Sequence, residues 1–255
     1  MLLALDIGNS DITVGLWKDN QWKHVWRISS RPDLPELYYG VKLRDYFYES
    51  GTVVDLVETI VLSSVVPAMT DKMKNVSRTL FEKEPIVLGP KVYAALPMKI
   101  LNPFEIGSDL VANAAAAYFK YKQTAIVVDF GTALTFTTVN ATGEILGVSI
   151  APGLKTAIKA LSQNTAKLFD VPLEIPASAL GRNTITAIQS GILIGYEGLV
   201  NNMVAKIKAE LQEPCRVIAT GGLSSVITPL QRLFDSVEPN LTLDGLCLIG
   251  RHINS

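Results

Sequence analysis

Cysteine is nearly absent: Cys215 and Cys247 are the only two in 255 residues. That excludes a disulfide framework and fits a reducing compartment. Histidine is equally scarce, with His24 and His252 standing alone, so the chain has no Cys/His zinc spacing. No run of lysine and arginine occurs, and 23 basic side chains balance 24 acidic ones for a net charge of -1. Nucleic-acid binding depends on clustered cations, so nucleic acid is excluded as a partner. Long apolar runs are missing too. The N-terminal one is broken at Asp6, too early for a secretory signal, and none is long enough to span a bilayer. The expectation is a soluble cytoplasmic protein with neither nucleic acid nor membrane as partner.

A hydrophobic fraction of 48% is ample for a buried core. Residues 2–7, 12–18 and 21–29 read as three strands joined by short turns, an antiparallel meander. Trp17, Trp22 and Trp26 lie on it and are expected to pack. A helix over 35–49, a strand over 59–67, a helix over 68–82 and a strand over 85–89 follow. "NPFEIGSD" at 102–109 turns into an alanine-rich helix, in which Ala114 to Ala117 allow close approach to the core. The opening pattern then returns over 124–130, 133–139 and 144–150. Helices over 153–163 and 183–211, a strand over 215–222 and helices over 223–234 and 244–253 complete the chain. The repeat divides the chain into lobes 1–121 and 122–255, each an α/β unit that starts with a three-stranded meander in a mixed sheet flanked by helices.

Three short elements carry chemistry. In the turn of "LALDIGNSDITVGL", Gly8 lets the backbone turn and a ligand approach. Consecutive amide N–H groups there make an anion-binding concavity, and Asn9, Ser10 and Thr13 add donors. Asp6 is placed to hold a metal ion, possible as Mg²⁺, beside phosphate oxygens. Taken alone, the same residues also describe an ordinary hairpin turn. "VVDFGTALTFTTV" repeats the device with Asp129, Gly131 and Thr132, and two such hairpins would clamp a polyphosphate. Gly221 and Gly222, between a strand and an expected helix, allow close approach of a nucleoside and offer free N–H groups. Asp109 begins a helix, where an acid serves either as a dipole partner or as a base. The helix start is expected to lower its pKa. Gly191, Gly195 and Gly198 share one face of the 183–211 helix, open to another helix of the chain or to a second subunit.

The paired Asp-x-Gly turns and late Gly-Gly resemble the actin-like (ribonuclease H-like) ATPase fold of sugar kinases, heat-shock ATPases and actin. "DIGNS", "NPFEIGSD", "VVDFGTALTF", "IAPGL", "GRNTITAIQSGILIGYEGLV" and "ATGGL" resemble, in order, the motifs of type III pantothenate kinases. The resemblance implies ATP-dependent phosphorylation of pantothenate to 4′-phosphopantothenate, with Mg²⁺ and a monovalent cation, K⁺ or NH₄⁺. It implies ATP binding by Asp6, Ile7, Gly8, Asn9, Ser10, Asp11, Ile12, Thr13 and Thr132, with Gly221 and Gly222. Asp109 becomes the base, Gly107, Ser108, Asp109 and Leu110 line the acceptor, and Asp129 takes the monovalent cation. Thr184 touches pantothenate across the interface of a homodimer. Tyr93 is a further candidate for the acceptor's carboxylate by its position. Two positions depart from the family. Leu110 stands where an arginine is usual, and Val148 where a second glycine is frequent. The alternatives are a non-catalytic nucleotide-binding regulator of the same fold and a kinase for another small hydroxyl acceptor.

Overall fold

The first strand is apolar and buried on both faces, as a strand flanked by two neighbours is, whereas the second and third alternate because one face is more buried than the other. In the computed structural model, which describes residues 1–165 and 167–254, these are β1 (Leu2–Ile7), β2 (Asp11–Lys18) and β3 (Gln21–Ser29). The chain continues through α1 (Glu36–Glu49), β4 (Thr59–Ser64), α2 (Pro67–Phe81), β5 (Ile86–Val87), the single turn α3 (Pro90–Tyr93) and α4 (Ser108–Tyr121). The second meander is β6 (Ala125–Phe130), β7 (Ala133–Val139) and β8 (Ile145–Pro152). After it come α5 (Leu154–Asn164), α6 (Thr184–Gln189), a π-helical turn at Ser190–Ile194, α7 (Gly195–Leu211), β9 (Arg216–Thr220), β10 (Ser236–Val237) and α8 (Leu241–Ile253).

The strands form two five-stranded sheets, ordered β3-β2-β1-β4-β5 and β10-β9-β6-β7-β8. Read in chain order within each sheet, these are the same connectivity. In both, the first strand pairs antiparallel with the second and parallel with the fourth. The repeat seen in the sequence is therefore a repeat of topology.

Two compact units contain these sheets. The first holds Met1–Lys120, Gly143–Ile145 and the stretch from Leu241; the second holds Tyr121–Thr142 and Leu146–Asn240. The first core is built on β1, β2 and β4 with α1 and α2, through side chains such as Leu5, Val14, Leu62, Tyr39 and Met73. Trp17 and Trp22 meet edge to face at 4.9 Å, and Trp26 stacks on His24 and Tyr46 at 5.1 and 5.4 Å. The second core joins β6, β7 and β9 to α7 through side chains such as Val128, Phe136, Val200 and Val217.

Two readings need correction. The last helix, placed in the second lobe by sequence order, packs within the first unit. Gly245 permits this, since a Cβ there would stand 1.9 Å from the Ala112 carbonyl oxygen of α4. Thr242 Oγ1 donates to the fully buried Asn113 Oδ1 at 2.8 Å, and Trp22 Nε1 donates to Asp244 Oδ1 at 2.7 Å. The helix expected over 223–234 is instead a series of tight turns ending in a 3₁₀ segment, Thr228–Arg232. Ser224 N–H donates to Gly221 O and Val226 N–H to Leu223 O, both three-residue steps. Pro229 lacks the N–H that an α-helix needs there. The free helix N-terminus expected after Gly222 is therefore not present. The helix expected over 183–211 is present over 184–211 and runs unbroken through a π-helical turn.

Candidate active site

Asp6 is the penultimate residue of β1, opposite Thr13 of β2 and Ser63 of β4. The chain turns at once, closed by Gly8 N–H donating to Asp11 O at 2.9 Å. A Cβ on Gly8 would stand 3.2 Å from that same oxygen, so the turn is tight. Asn9, Ser10 and Asp11 are exposed, whereas Ile7 and Ile12 are fully buried in the first core. Those two isoleucines can therefore offer a ligand only their backbone.

The second unit repeats this arrangement. Asp129 is the penultimate residue of β6, opposite Thr135 of β7 and Thr220 of β9. Gly131 N–H closes the turn on Ala133 O at 3.1 Å. Gly131 and Thr132 are exposed. The start of α5 braces this turn: Gly153 N–H and Thr156 Oγ1 both donate to Thr132 O, at 3.0 and 2.6 Å. A Cβ on Gly153 would lie 2.2 Å from Gly131 O. Gly221 follows β9 with φ +89°, a region open to glycine. A Cβ there would be 2.5 Å from Asp129 Oδ1 and 2.7 Å from the Phe130 backbone. The Asp129 turn and the Gly221 turn are thus in contact.

Asp109 occupies the first turn of α4, where Gly107 O accepts from the N–H groups of Leu110 and Val111 at 3.1 and 3.2 Å. Leu110 N–H also donates to Asp109 Oδ1 at 2.9 Å. The sequence expectation of a lowered pKa is overturned. Burial raises the Asp109 carboxyl above its ordinary value and outweighs the backbone hydrogen bonds that pull it down. Burial, followed by the Asp109 charge, pushes the Tyr93 phenol up to about 12. Leu110 is buried, and Ser108 is held by β4.

Gly107 shapes the site directly. A Cβ there would stand 2.5 Å from Asp109 Oδ1, so the carboxylate occupies the space that the glycine leaves. Gly107→Ala is expected to displace that carboxylate and lower turnover about ten-fold or more, with little change in melting temperature because a flexible side-chain end yields. Steady-state kinetics beside a thermal melt checks this.

Thr184 is exposed at the start of α6, behind an Asn183 cap in which Asn183 Oδ1 accepts from Thr186 N at 2.9 Å. It borders an open groove of about 500 Å³ whose walls include Leu161, Ile188 and Ile192, with Arg182 and Asn183 at the polar end. At Gly191, Gly195 and Gly198 a Cβ would meet nothing within 4 Å beyond the adjoining turns of their own helix, among the described residues.

Among the described residues no three His, Cys, Asp or Glu side chains converge as a metal site. Mg²⁺ needs no such cage, since one or two carboxylates with phosphate oxygens and water suffice, and Asp6 fits that role. Opposite Asp129, Thr135 keeps a buried hydroxyl oxygen without a hydrogen-bond partner among the described residues. Sequence reasoning missed Ser63, Gly153 and Asn183, which position these groups. Only the paired serines at the end of the "TIVLSS" strand hinted at the first.

Two mixed sheets of one connectivity, each ending its first strand on an Asp-x-Gly turn, define the actin-like ATPase fold shared by sugar kinases. Solved structures agree. A Baf-family protein from Campylobacter jejuni matches with a TM-score of 0.61 at 21% identity, covering 99% of this chain and 100% of its own. A ROK hexokinase from Thermus thermophilus matches with a TM-score of 0.55 at 10% identity, covering 100% and 99%. Within that fold the chain belongs to the type III pantothenate kinase family, whose model matches residues 2–206. A type III pantothenate kinase of Pelobacter propionicus is 43% identical over 249 residues, 98% of each chain.

Proposed function

We propose that this chain transfers the γ-phosphoryl group of ATP to the 4′-hydroxyl of pantothenate, giving 4′-phosphopantothenate and ADP, the first step of coenzyme A biosynthesis. One observation carries the reading: in a chain of this family, a partly buried carboxylate, Asp109, heads α4 where that helix is tied to the carboxyl end of β4, the strand paired with the Asp6 strand.

Phosphoryl transfer is mainly positioning and charge stabilisation. In the first unit Asp6, Gly8, Asn9, Ser10, Asp11 and Thr13, with the Ile7 and Ile12 backbone, are the ATP-binding residues; in the second they are Thr132, Gly221 and Gly222. Asp6 holds Mg²⁺ and Asp129 holds K⁺ or NH₄⁺, which neutralise phosphate charge when bound. Asp109 orients the acceptor hydroxyl and takes its proton as the new O–P bond forms and the bond to ADP breaks. Its raised pKa makes it a better proton acceptor near neutral pH than an ordinary carboxylate. Gly107 to Leu110 line the acceptor, Ser108 through its backbone alone, and Leu110 adds an apolar wall where it offers no donor. The Tyr93 phenol, held protonated by burial, donates to the acceptor's carboxylate. Thr184 completes the acceptor site across a homodimer. The bare face beside Gly191, Gly195 and Gly198 supports such an interface, because a partner backbone can approach it. The enzyme works in the cytoplasm.

Incubating the protein with ATP, Mg²⁺, K⁺ and pantothenate is expected to yield 4′-phosphopantothenate, read by mass spectrometry. Removing the monovalent cation is expected to reduce the rate. Tight ATP binding with no transfer to any pantothenate-like acceptor would replace this reading with the regulator. Preferential transfer to another hydroxyl compound in the same panel would change the acceptor.

A further inference from the structure

We propose that the Ser108 hydroxyl, together with Ser63, positions the Asp109 carboxylate by locking the first turn of α4 to the carboxyl end of β4. This rests on Asp109 acting as the base.

The hydrogen bonds fix how the lock works. Ser63 Oγ and Ser108 Oγ are 2.9 Å apart. Ser64 N–H donates to Ser108 Oγ at 3.0 Å, and Ser108 Oγ donates to Ser64 O at 3.2 Å. A serine hydroxyl has one proton to give. With that proton on Ser64 O, Ser63 is the donor in the hydroxyl pair. Ser108 then donates once and accepts twice, which uses its full capacity and leaves nothing for a ligand. Both side chains are shut away, Ser63 at 0% exposure and Ser108 at 6%.

The bond is not a helix cap. Within the first turn of α4 the N–H groups of Leu110 and Val111 go to Gly107 O, whereas the Ser108 hydroxyl reaches a strand 44 to 45 positions away. That strand runs parallel to β1 with Ser63 opposite Asp6. One side-chain bond thus joins the residue beside the base to the neighbour of the Asp6 strand. Apart from it, the N–H groups of Leu110 and of Asp109 itself face the Asp109 carboxylate, and both belong to the same first turn, while Gly107 leaves that carboxylate lateral room. Without the lock, the first turn can rotate and carry Asp109 off line. Displacement by about 1 Å is enough to cost two orders of magnitude in rate.

Five variants in one kinetic and thermal panel decide the matter. Ser108→Ala and Ser63→Ala are expected to lower kcat about ten-fold or more, with the KM for ATP unchanged. Ser108→Thr, which keeps the hydroxyl, is expected to recover most of kcat. Thr70→Val loses the 2.8 Å bond to Ser64 Oγ at the same strand end without touching α4. It is expected to lose thermal stability but keep kcat. Wild-type kcat in Ser108→Ala or Ser63→Ala overturns the proposal. So does a kcat loss in Thr70→Val as large as theirs, which would make the effect one of stability alone. If Ser108→Ala does not fold, Ser63→Ala and Ser108→Thr decide by the same criteria. Full turnover in Asp109→Asn would sink the base assignment instead, and is distinguishable from failure of the lock.

Discussion

Asp109→Asn is expected to lose about two to four orders of magnitude in kcat, the usual worth of a positioned base, while ATP binding survives and stability at neutral pH rises. Asparagine retains a side-chain oxygen for the Leu110 N–H that Asp109 Oδ1 accepts at 2.9 Å. It removes only the ionisable group and with it the capacity to take a proton. The gain in stability follows from the direction of the pKa shift. Burial raises the carboxyl in the folded chain above its unfolded value. Between those two values the folded protein holds more protons than the unfolded one, so wild-type stability falls as pH rises through that window. Below the unfolded value, about 4, both side chains are neutral and the two proteins melt alike. Above the folded value the wild type carries a desolvated negative charge that asparagine does not. The melting-temperature gap should therefore be absent in acid, open as pH rises and stay constant beyond. Wild-type kcat should fall as pH drops through the raised value. Melts across pH beside single-turnover assays test both halves. Undiminished turnover would remove Asp109 from the mechanism. A gap that opened toward acid instead would contradict burial as the dominant cause of the shift.

The parts of this molecule that were legible in the sequence are those written in local pattern. β3 is readable to the residue because alternation and the Asp-Asn turn before it leave little freedom, and β1 because its apolar run is cut by the Asp-x-Gly turn. The duplicated Asp-x-Gly turns revealed the repeat because each needs a carboxylate at a strand end and a glycine at the bend. The 223–234 stretch misled for a physical reason. Leu223, Ile227 and Leu230 fall at helical spacing, yet all pack on the second core from tight turns. Burial, not the helix, set their period. The sign of the Asp109 shift is not legible in sequence, because a helix start is visible there, whereas the desolvation that outweighs it depends on residues brought together by folding. The Ser63–Ser108 pair and the seat of Gly245 on Ala112 are contacts across 45 and 133 positions, which no local spacing encodes.

Gly221→Ala is expected to cost about 2–4 kcal/mol and to weaken ATP binding about ten-fold or more. Two independent penalties act at this residue. Its φ of +89° lies where an L-residue is strained. Its missing Cβ is also the reason two turns can touch, since that atom would stand 2.5 Å from Asp129 Oδ1 and 2.7 Å from Phe130 N. Backbone cannot yield as a flexible side chain does, so the β9 turn and the Asp129 turn must separate. The same separation would disturb Thr132, whose carbonyl is clasped by Gly153 N–H and Thr156 Oγ1. For chains of this size about 2–4 °C in Tm accompanies each kcal/mol, so the melt should fall by roughly 5–15 °C. Gly40→Ala is the matched control: Gly40 lies within α1 with nothing within 4 Å of a Cβ position. It is expected to gain up to about 1 kcal/mol from helix propensity and to leave kinetics alone. The KM for ATP should rise in the Gly221 variant and hold in the Gly40 variant. An unchanged KM for ATP in Gly221→Ala, despite the stability loss, would mean that this turn supports the fold without touching nucleotide.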